Sequence, residues 1–367
     1  MTEPCEYPLG TPKAALDTPA LVVDLDVLAA NIARIISVCQ ANAVTWRPHV
    51  KSLKSPQLAA ELIAAGASGV ACATLGEAMT MARAGIDNIL IANQIVGATK
   101  LVRLVELCRT SEIIVTVDSA TGVAELAAAA TAADVVPGVV IEVDIGLHRA
   151  GVQPGPAVAT LAQIIASQPS LHFRGLMAWE GHTTKIADPA AKACAISAAI
   201  GQLVASAEHC RQAGLQVDIV SCGGTGTYQF TACEPGITEI QAGGGVFSDV
   251  RYREQFGLDH PFALSVMATV ISRPNPQRVV CDAGRKSMSC DYAIPRPIGL
   301  DAVRSVVLSA EHATVELTQA NSALAVGDLL EFVVGYADTT VYLHDQIYGV
   351  RGGLLETTFR LPVRRRP

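Results

Sequence analysis

The chain has 367 residues; half are hydrophobic and 17% are charged, a balance that excludes intrinsic disorder and allows a large core. The formal net charge of −7 argues against a nucleic-acid partner. No apolar run reaches the roughly 18 uninterrupted residues of a membrane-spanning helix, so we expect no membrane partner.

The N-terminal residues and the cysteines indicate a cytoplasmic location. Residues 1–4 (MTEP) have neither the basic nor the apolar stretch of a signal peptide. The ten cysteines are scattered singly, without a C-x-x-C pair. In a chain of this size, that pattern is typical of reduced, packed thiols.

Residues 26–261 alternate short apolar strands with alanine-rich helices. Strands are predicted near residues 44–47, 69–73, 89–93, 113–117, 139–144, 173–178, 217–221 and 238–242. Helices are predicted at residues 26–40, 56–66, 76–84, 98–108, 119–131, 155–167 and 190–213. This alternation predicts an α/β domain with parallel strands, and eight strands are the number that closes a TIM-type (β/α)8 barrel. An open, doubly wound sheet has the same periodicity, which does not separate the two.

The pattern changes near residue 262. Short strands separated by Gly, Pro, Asn and Asp are predicted at residues 262–272, 279–282, 303–309, 314–317, 329–334, 340–343 and 347–350. We therefore predict a C-terminal antiparallel β domain over residues 262–367, after a barrel over residues 26–261. Residues 18–24 form a further predicted strand, and we assign residues 1–25 to the β domain.

Lys51 lies just after the first predicted barrel strand. Barrels of this type carry their chemistry at the C-terminal ends of their strands. A desolvated lysine there can lose its proton and form a Schiff base with an aldehyde. The alternative is a solvated loop lysine beside Lys54.

Two glycine-rich loops follow the seventh and eighth predicted strands. The candidate residues are Gly223, Gly224 and Thr225 in the first loop and Gly243 and Gly244 in the second. Glycines allow backbone N–H groups to approach an anion closely, and loops at these two positions form the usual phosphate site of a β/α barrel. Plain turns are the alternative for either loop alone.

Two further candidates follow the fifth and sixth predicted strands. Arg149 is a fixed cation with planar donors, and its alternative role is a salt bridge on the barrel rim. His182 is suited to carry a proton near neutral pH, and its alternative role is a hydrogen-bonded rim histidine.

Together these segments resemble the D-threonine aldolase and D-serine dehydratase family, which has the alanine-racemase-type fold and uses pyridoxal 5'-phosphate (PLP). Residues 47–52 (RPHVKS) are similar to the family's R-P-H-x-K-T box, whose lysine carries the Schiff base; that lysine is Lys51 here. The resemblance implies that Arg149 approaches the pyridine nitrogen, that both glycine loops hold the phosphate, and that His182 transfers protons. It covers nearly the whole chain and includes residues 281–286 and 309–312 of the predicted β domain.

The chain departs from the family pattern at two positions. Leu53 replaces a histidine of the first box. The family also binds a divalent metal through an H-x-D or H-x-C pair; here Asp338 is kept but Tyr336 stands in the histidine position. Because a neutral phenol is a poor ligand for Mg²⁺, Mn²⁺ or Zn²⁺, we predict weak metal binding at Asp338 or none. Tyr336 is then a candidate acid–base group or donor to the substrate hydroxyl.

The resemblance implies a PLP-dependent lyase that cleaves a D-β-hydroxy amino acid to glycine and an aldehyde. A D-serine or D-hydroxyaspartate-type dehydratase and an amino-acid racemase are the alternatives, and the racemase needs no metal. A non-catalytic PLP carrier is disfavoured by the β domain. A metal-dependent barrel hydrolase is disfavoured because no His/Asp cluster follows the strands. Fold analogy further implies a homodimer whose β domain closes over the partner's barrel mouth.

Overall fold

The computed structural model describes residues 7–362, which fall into two compact units. The barrel unit comprises Ala33–Lys51 and Leu58–Gly243. Of the described residues, the sheet unit comprises residues 7–32, the segment Ser52–Gln57, and residues 244–362.

The barrel unit contains an eight-stranded parallel sheet. Its strands are β2 (Thr45–Trp46), β3 (Val70–Cys72), β4 (Ile89–Gln94), β5 (Ile113–Val117), β6 (Gly138–Val143), β7 (His172–Ala178), β8 (Ile219–Cys222) and β9 (Glu239–Ile240). They pair in the order β2-β9-β8-β7-β6-β5-β4-β3. Residues at the two ends of this order also meet, because Ala71 N donates to Pro48 O at 2.9 Å. The predicted TIM-type barrel is confirmed.

The barrel strands have continuous apolar sequences because both faces of a parallel sheet are covered. β3, β5, β6 and β8 are buried at every residue. One residue from each of six successive strands joins a single core cluster, which comprises Ala71, Leu90, Ile114, Val140, Met177 and Ile219. This packing holds the C-terminal strand ends in fixed positions.

Helices follow the strands as predicted, with ends displaced by at most two residues. They are α1 (Leu25–Ala41), α2 (Pro56–Ala64), α3 (Leu75–Arg83), α4 (Ala98–Cys108), α5 (Ala120–Ala133), α6 (Pro156–Ala166), α7 (Pro189–Gln212) and the short α8 (Tyr228–Thr231). Side-chain caps begin several of them: Thr74 accepts from Glu77 N, and Asp188 accepts from Ala191 N.

Among the described residues, α7 is long and apolar enough to cross a membrane by length and composition alone. It buries one side in the structure, including Ile196, Ile200 and Leu203, and it packs against α6 and β7. These contacts are those of a core helix.

The sheet unit is mostly antiparallel. Its strands are β1 (Ala20–Asp24), β10 (Leu264–Asn275), β11 (Arg278–Cys281), β12 (Arg296–Pro297), β13 (Val303–Leu308), β14 (Ala313–Leu317), β15 (Leu329–Val333), β16 (Gln346–Arg351) and β17 (Leu354–Arg360). It also holds the helices α9 (Val250–Phe256) and α10 (Ala337–Val341). β1 pairs antiparallel with β10 and parallel with β16, so the N-terminal strand belongs to this sheet, as predicted.

One predicted strand of the β domain is wrong. Residues 340–343 were expected to be extended because Thr340 and Val341 are β-branched, but the chain there forms helix α10 and a turn. The helix begins where Asp249 Oδ2 accepts the Ala337 N–H at 2.8 Å. A cap from a distant residue thus overrides the local preference. The strands β12 and β17 were not predicted.

The compact units divide the chain at Ile32 and Gly244, whereas the predicted boundaries lie at 25/26 and 261/262. Hydrogen bonds explain the difference. The Asn31 side chain donates to Val246 O and Pro261 O at 3.0 and 2.8 Å. Val250 N donates to Val334 O at 3.2 Å. Residues 244–261 are therefore bonded to the sheet unit although they contain a helix.

Candidate active site

The barrel candidates all follow C-terminal strand ends of one parallel sheet, which share one edge of the barrel. Lys51 follows β2 and Arg149 follows β6, while His182 follows β7. Gly223, Gly224 and Thr225 follow β8, and Gly243 follows β9. Tyr336, Asp338 and Gly244 belong to the sheet unit.

Lys51 lies in a tight helical turn, Val50–Ser52, directly after β2. Its side chain is exposed, whereas its neighbours Val50, Ser52 and Leu53 are completely buried. The buried neighbours anchor the turn and direct the lysine outward. Leu53, which replaces the histidine of the family box, is therefore a core residue in this chain.

Arg47, at the start of the same box, is an anchor. It is buried, and its Nε donates to Glu239 Oε2 at 2.7 Å. Its Nη1 donates to the Asn88 backbone O at 2.6 Å and to Asn88 Oδ1 at 2.9 Å. The ion pair joins β2 to β9, so Arg47 fixes the strand that ends just before Lys51.

A buried carboxylate organises the first glycine-rich loop. Glu180 is completely buried after β7. Its Oε1 accepts from the Thr227 and Thr231 hydroxyls, each at 2.6 Å. Its Oε2 accepts from the Cys222 thiol at 2.6 Å and from Gly223 N at 3.3 Å. Both oxygens of Glu180 are therefore used by two donors each.

This arrangement leaves fewer backbone amides of the first loop for the predicted phosphate contacts. Gly223 N points to Glu180, and Gly224 N donates to Thr227 Oγ1 at 3.2 Å. An anion at this loop would have to use amides further along, from Thr225 to Gly226. Glu180 was not among the predicted site residues. Its signal in the sequence is a glutamate two residues before His182.

Steric constraints require glycine in both loops. A Cβ at Gly224 would lie 2.3 Å from Trp179 Cη2. A Cβ at Gly243 would lie 2.0 Å from His49 O, next to the lysine turn. In the sheet unit, a Cβ at Gly244 would lie 2.5 Å from the Tyr252 hydroxyl. Close packing against protein atoms therefore requires glycine at these three positions.

Arg149 forms the rim salt bridge that was its alternative role. Its Nη2 lies 3.2 Å from Glu142 Oε1, and the Arg149 side chain is 58% exposed. Gln94 Nε2 donates to the other oxygen of Glu142 at 2.6 Å. The guanidinium is thus held at the barrel edge without being buried, and its remaining N–H groups can still meet a ligand.

His182 is exposed in a short turn, Gly181–Thr183, after β7. Gly146, with φ +118°, lets the loop after β6 lie against the imidazole, since a Cβ there would be 3.0 Å from His182 Cε1. Asp144 shapes that loop by accepting from the backbone N–H groups of Gly146 and His148. Burial by itself raises the pKa of Asp144, but these hydrogen bonds lower the pKa below its usual value.

Tyr336 and Asp338 meet in the sheet unit at the start of α10. The Tyr336 hydroxyl donates to Asp338 Oδ2 at 2.8 Å. Burial first, and then the Asp338 charge, raise the pKa of Tyr336 above its usual value, so the phenol stays protonated. Asp338 also lines a cavity of about 290 Å³ whose other lining residues include Arg285, Ser289 and Tyr342.

An arginine that the sequence analysis missed lies against Tyr336. The Arg251 guanidinium carbon is 3.8 Å from the ring centroid of Tyr292, 4.4 Å from that of Tyr336 and 5.1 Å from that of Phe256. We call these four residues the arginine cage. The rings and the arginine come from three separate segments, around residues 251–256, 292 and 336, so no local sequence pattern predicts their contact.

Two motif segments of the predicted β domain, residues 281–286 and 309–312, contact each other. Arg285 N donates to Ser309 O at 2.8 Å, and Lys286 Nζ lies 2.6 Å from Glu311 Oε1. His312 lies in the same turn, with its Nδ1 3.4 Å from Ser309 Oγ. These segments therefore brace one another.

Comparisons with known proteins agree with this architecture. Residues 23–249 match the family described as alanine racemase, N-terminal domain, and residues 263–350 match the putative serine dehydratase domain. A D-threonine aldolase from an Arthrobacter species is 34% identical, over 97% of this chain and 94% of that protein. The chain therefore belongs to the family that joins an alanine-racemase-type barrel to a serine-dehydratase-type β domain.

Two solved structures extend the comparison. The crystal structure of D-threonine aldolase from Filomicrobium marinum superimposes with a TM-score of 0.93 and 32% identity, covering 98% of this chain and 99% of that chain. A mutant D-threo-3-hydroxyaspartate dehydratase, described as the metal-free form, gives a TM-score of 0.85 and 27% identity, covering 95% and 98%.

Proposed function

We propose that this protein is a PLP-dependent lyase that cleaves a D-β-hydroxy amino acid, D-threonine in the simplest case, to glycine and an aldehyde. The observation that carries the proposal is the pairing of the lysine box at a barrel strand end with 34% identity to a D-threonine aldolase over nearly the whole chain. The similar fold of a second D-threonine aldolase supports it.

The residues at the strand ends divide the work in this proposal. Lys51 Nζ would hold the cofactor, Arg149 would serve its pyridine nitrogen, and the loops that contain Gly223–Thr225 and Gly243–Gly244 would hold its phosphate. PLP, when bound, supplies an electron sink for the bonding pair released at Cα. The protein must position the substrate so that the Cα–Cβ bond is the one that breaks.

Proton transfer is the remaining task of the side chains. In aldol cleavage, the β-hydroxyl loses its proton as the Cα–Cβ bond breaks, the Cβ fragment leaves as an aldehyde, and Cα gains a proton to give glycine. His182 is exposed at the barrel edge, and an imidazole is the side chain best suited to carry a proton near neutral pH. We assign this transfer to His182. Tyr336, in the sheet unit, is a separate candidate for a hydroxyl donor, and its raised pKa keeps the phenol protonated.

Product analysis tests the proposal. Purified protein supplied with PLP and D-threonine should yield equal amounts of glycine and acetaldehyde, and L-threonine is the matched control. A keto acid with ammonia would instead identify a dehydratase, and an altered D/L ratio on a chiral column would identify a racemase. Either result, without glycine, contradicts the aldolase proposal.

We further propose a cytosolic homodimer with no nucleic-acid or membrane partner. The nine cysteines among the described residues are all free thiols, which supports a reducing compartment. Sedimentation at assay concentrations tests the dimer, and a monomer with full activity would contradict it. Fractionation of cells that express the protein would test its location.

A further inference from the structure

The position at which the family resemblance implies a metal-binding histidine is filled by a hydrogen-bonded phenol. Tyr336 directs its proton to Asp338 Oδ2 at 2.8 Å. A divalent ion bound through this oxygen would have to displace that proton or share the oxygen with it. A protonated phenol offers a hard cation much less than a carboxylate or an imidazole does.

The described residues around Tyr336 and Asp338 form no larger set of metal ligands. Among residues 7–362, no group of three or more His, Cys, Asp and Glu side chains is arranged to hold a metal ion. Asp249 is the other carboxylate near Asp338. Its Oδ1 accepts from Tyr252 N and its Oδ2 accepts from Ala337 N, each at 2.8 Å. Its two oxygens thus already hold the first turns of α9 and α10.

A permanent positive charge already occupies this neighbourhood. Arg251 is fixed in the arginine cage, with its guanidinium carbon 4.4 Å from the Tyr336 ring centroid. Its Nε is buried and has no hydrogen-bond partner among the described residues. The guanidinium is therefore held by ring faces, whose negative quadrupoles attract cations.

The backbone fixes the arginine relative to Tyr336. Arg251 N donates to Gly335 O at 3.0 Å, and Val250 N donates to Val334 O at 3.2 Å. Together with the Asp249–Ala337 bond, these contacts tie the start of α9 to the residues on both sides of Tyr336. The backbone of Arg251 is thus fixed by these bonds, and its guanidinium is placed by the faces of the three rings.

We propose that this chain has no divalent-metal centre at Tyr336 and Asp338, and that Arg251 supplies the fixed positive charge of a metal-free site there. Arg251 is a positioning residue, since it acts through the Tyr336 ring. Asp338 lines the 290 Å³ cavity and is the group that would accept a hydrogen bond from a substrate hydroxyl without an intervening ion. This role of Asp338 toward a substrate rests on the proposed function.

Metal content tests the inference without reference to activity. Holoprotein purified without chelator, then dialysed, should contain well under one Mg, Mn or Zn per subunit by elemental analysis. In a Mn²⁺ titration followed by electron paramagnetic resonance, binding should be absent or should need millimolar-range Mn²⁺, as expected for a lone carboxylate. A stoichiometric metal, or Mn²⁺ binding at micromolar concentration, overturns the proposal.

Variants separate the roles of the phenol and the arginine. Tyr336→His restores an H-x-D pair, and Tyr336→His combined with Arg251→Met also removes the cation. Mn²⁺ should bind at least about tenfold more tightly to the double variant than to Tyr336→His alone, because divalent ions need hard ligands without a competing cation. Tyr336→Phe, which adds no ligand, is the matched control. Equal Mn²⁺ affinity in both histidine variants, with native circular dichroism, refutes the role of Arg251.

Chelator treatment then separates this inference from the proposed function. If D-threonine is cleaved, the rate should change less than about twofold after EDTA, because the site requires no ion. Failure to cleave D-threonine with no bound metal refutes the proposed function alone. Cleavage that EDTA abolishes and Mn²⁺ restores refutes the metal-free site and leaves the lyase proposal intact.

Discussion

Glu180 in the barrel unit and Asp249 in the sheet unit are both buried carboxylates that connect loops, but their surroundings differ. Glu180 accepts from four donors on the segment Cys222–Thr231. Asp249 accepts from two backbone N–H groups and lies near a second carboxylate, Asp338. Burial first, with the Asp338 charge adding to it, raises the pKa of Asp249 to about 7 despite its two hydrogen bonds.

The comparison shows how hydrogen-bond donors decide what a buried carboxylate can do. Four donors occupy both oxygens of Glu180 and let it hold the glycine loop in place. Two donors leave Asp249 able to titrate near neutrality. The barrel unit thus carries a loop fixed by a hydrogen-bonded carboxylate, whereas the sheet unit carries a carboxyl group, Asp249, whose pKa lies near neutrality. Substitutions in the barrel unit and in the sheet unit can test this difference.

The largest effect is expected from Lys51→Ala, which tests whether the barrel region carries the cofactor at all. Without Nζ, no covalent attachment forms, so dialysed protein should be colourless and activity should fall by at least about 10³-fold. Borohydride reduction followed by peptide mapping checks the attachment. Lys54→Ala is the control, because Lys54 Nζ lies over the Tyr342 ring at 5.6 Å and should be dispensable for attachment. A reduced adduct at another lysine would disprove the assignment.

The second prediction concerns Asp249 and the pH dependence of stability. The unfolded chain releases the Asp proton near its usual pKa of about 3.9, whereas the folded protein keeps it until about 7. The free energy of unfolding should therefore fall as pH rises through this window, by at most about 4 kcal/mol, and then level off.

Urea unfolding at several pH values between about 4.5 and 8 measures this slope. Asp249→Asn, which cannot titrate, should be less stable at low pH but should lose less stability as pH rises. If the free energy of unfolding changes equally with pH in both proteins, Asp249 is charged throughout this window and its pKa is not raised by folding.

The third prediction tests whether Glu180 serves the cofactor phosphate or only the fold. Glu180→Gln replaces one acceptor oxygen with an NH₂ group. Because this group is itself a donor and would face the donors of the loop, the loop should loosen. We expect PLP to bind about tenfold more weakly, equivalent to about 1.4 kcal/mol. Binding is followed by quenching of intrinsic fluorescence.

Pyridoxal, which lacks the phosphate, is the matched ligand for this variant. Its affinity should be unchanged, because only the phosphate would contact the glycine loop. An equal loss of affinity for PLP and pyridoxal would show that Glu180 acts by general destabilisation of the barrel.

The smallest effect on stability is expected at Arg149. Its ion pair with Glu142 is more than half exposed, and exposed pairs contribute about 0–1 kcal/mol. Arg149→Ala should therefore shift the unfolding midpoint little while changing the absorption spectrum of the bound cofactor. An unaltered spectrum would leave Arg149 with its structural salt bridge alone.

The sequence by itself determined the elements of the barrel and the position of Lys51. Strand and helix periodicities are local signals, and both glycine loops and the lysine box follow strands whose ends lie within about two residues of their predicted positions. Because the C-terminal ends of parallel strands meet at one edge, knowledge of the elements was enough to predict that edge as the site.

Only the tertiary structure decided the surroundings of Tyr336. The helix Ala337–Val341 replaced a predicted strand because Asp249, distant in sequence, caps it. The arginine cage likewise joins Arg251, Tyr292 and Tyr336 from three separate segments. Local propensity does not encode such contacts, since each depends on where the backbone of another segment lies once the core has packed.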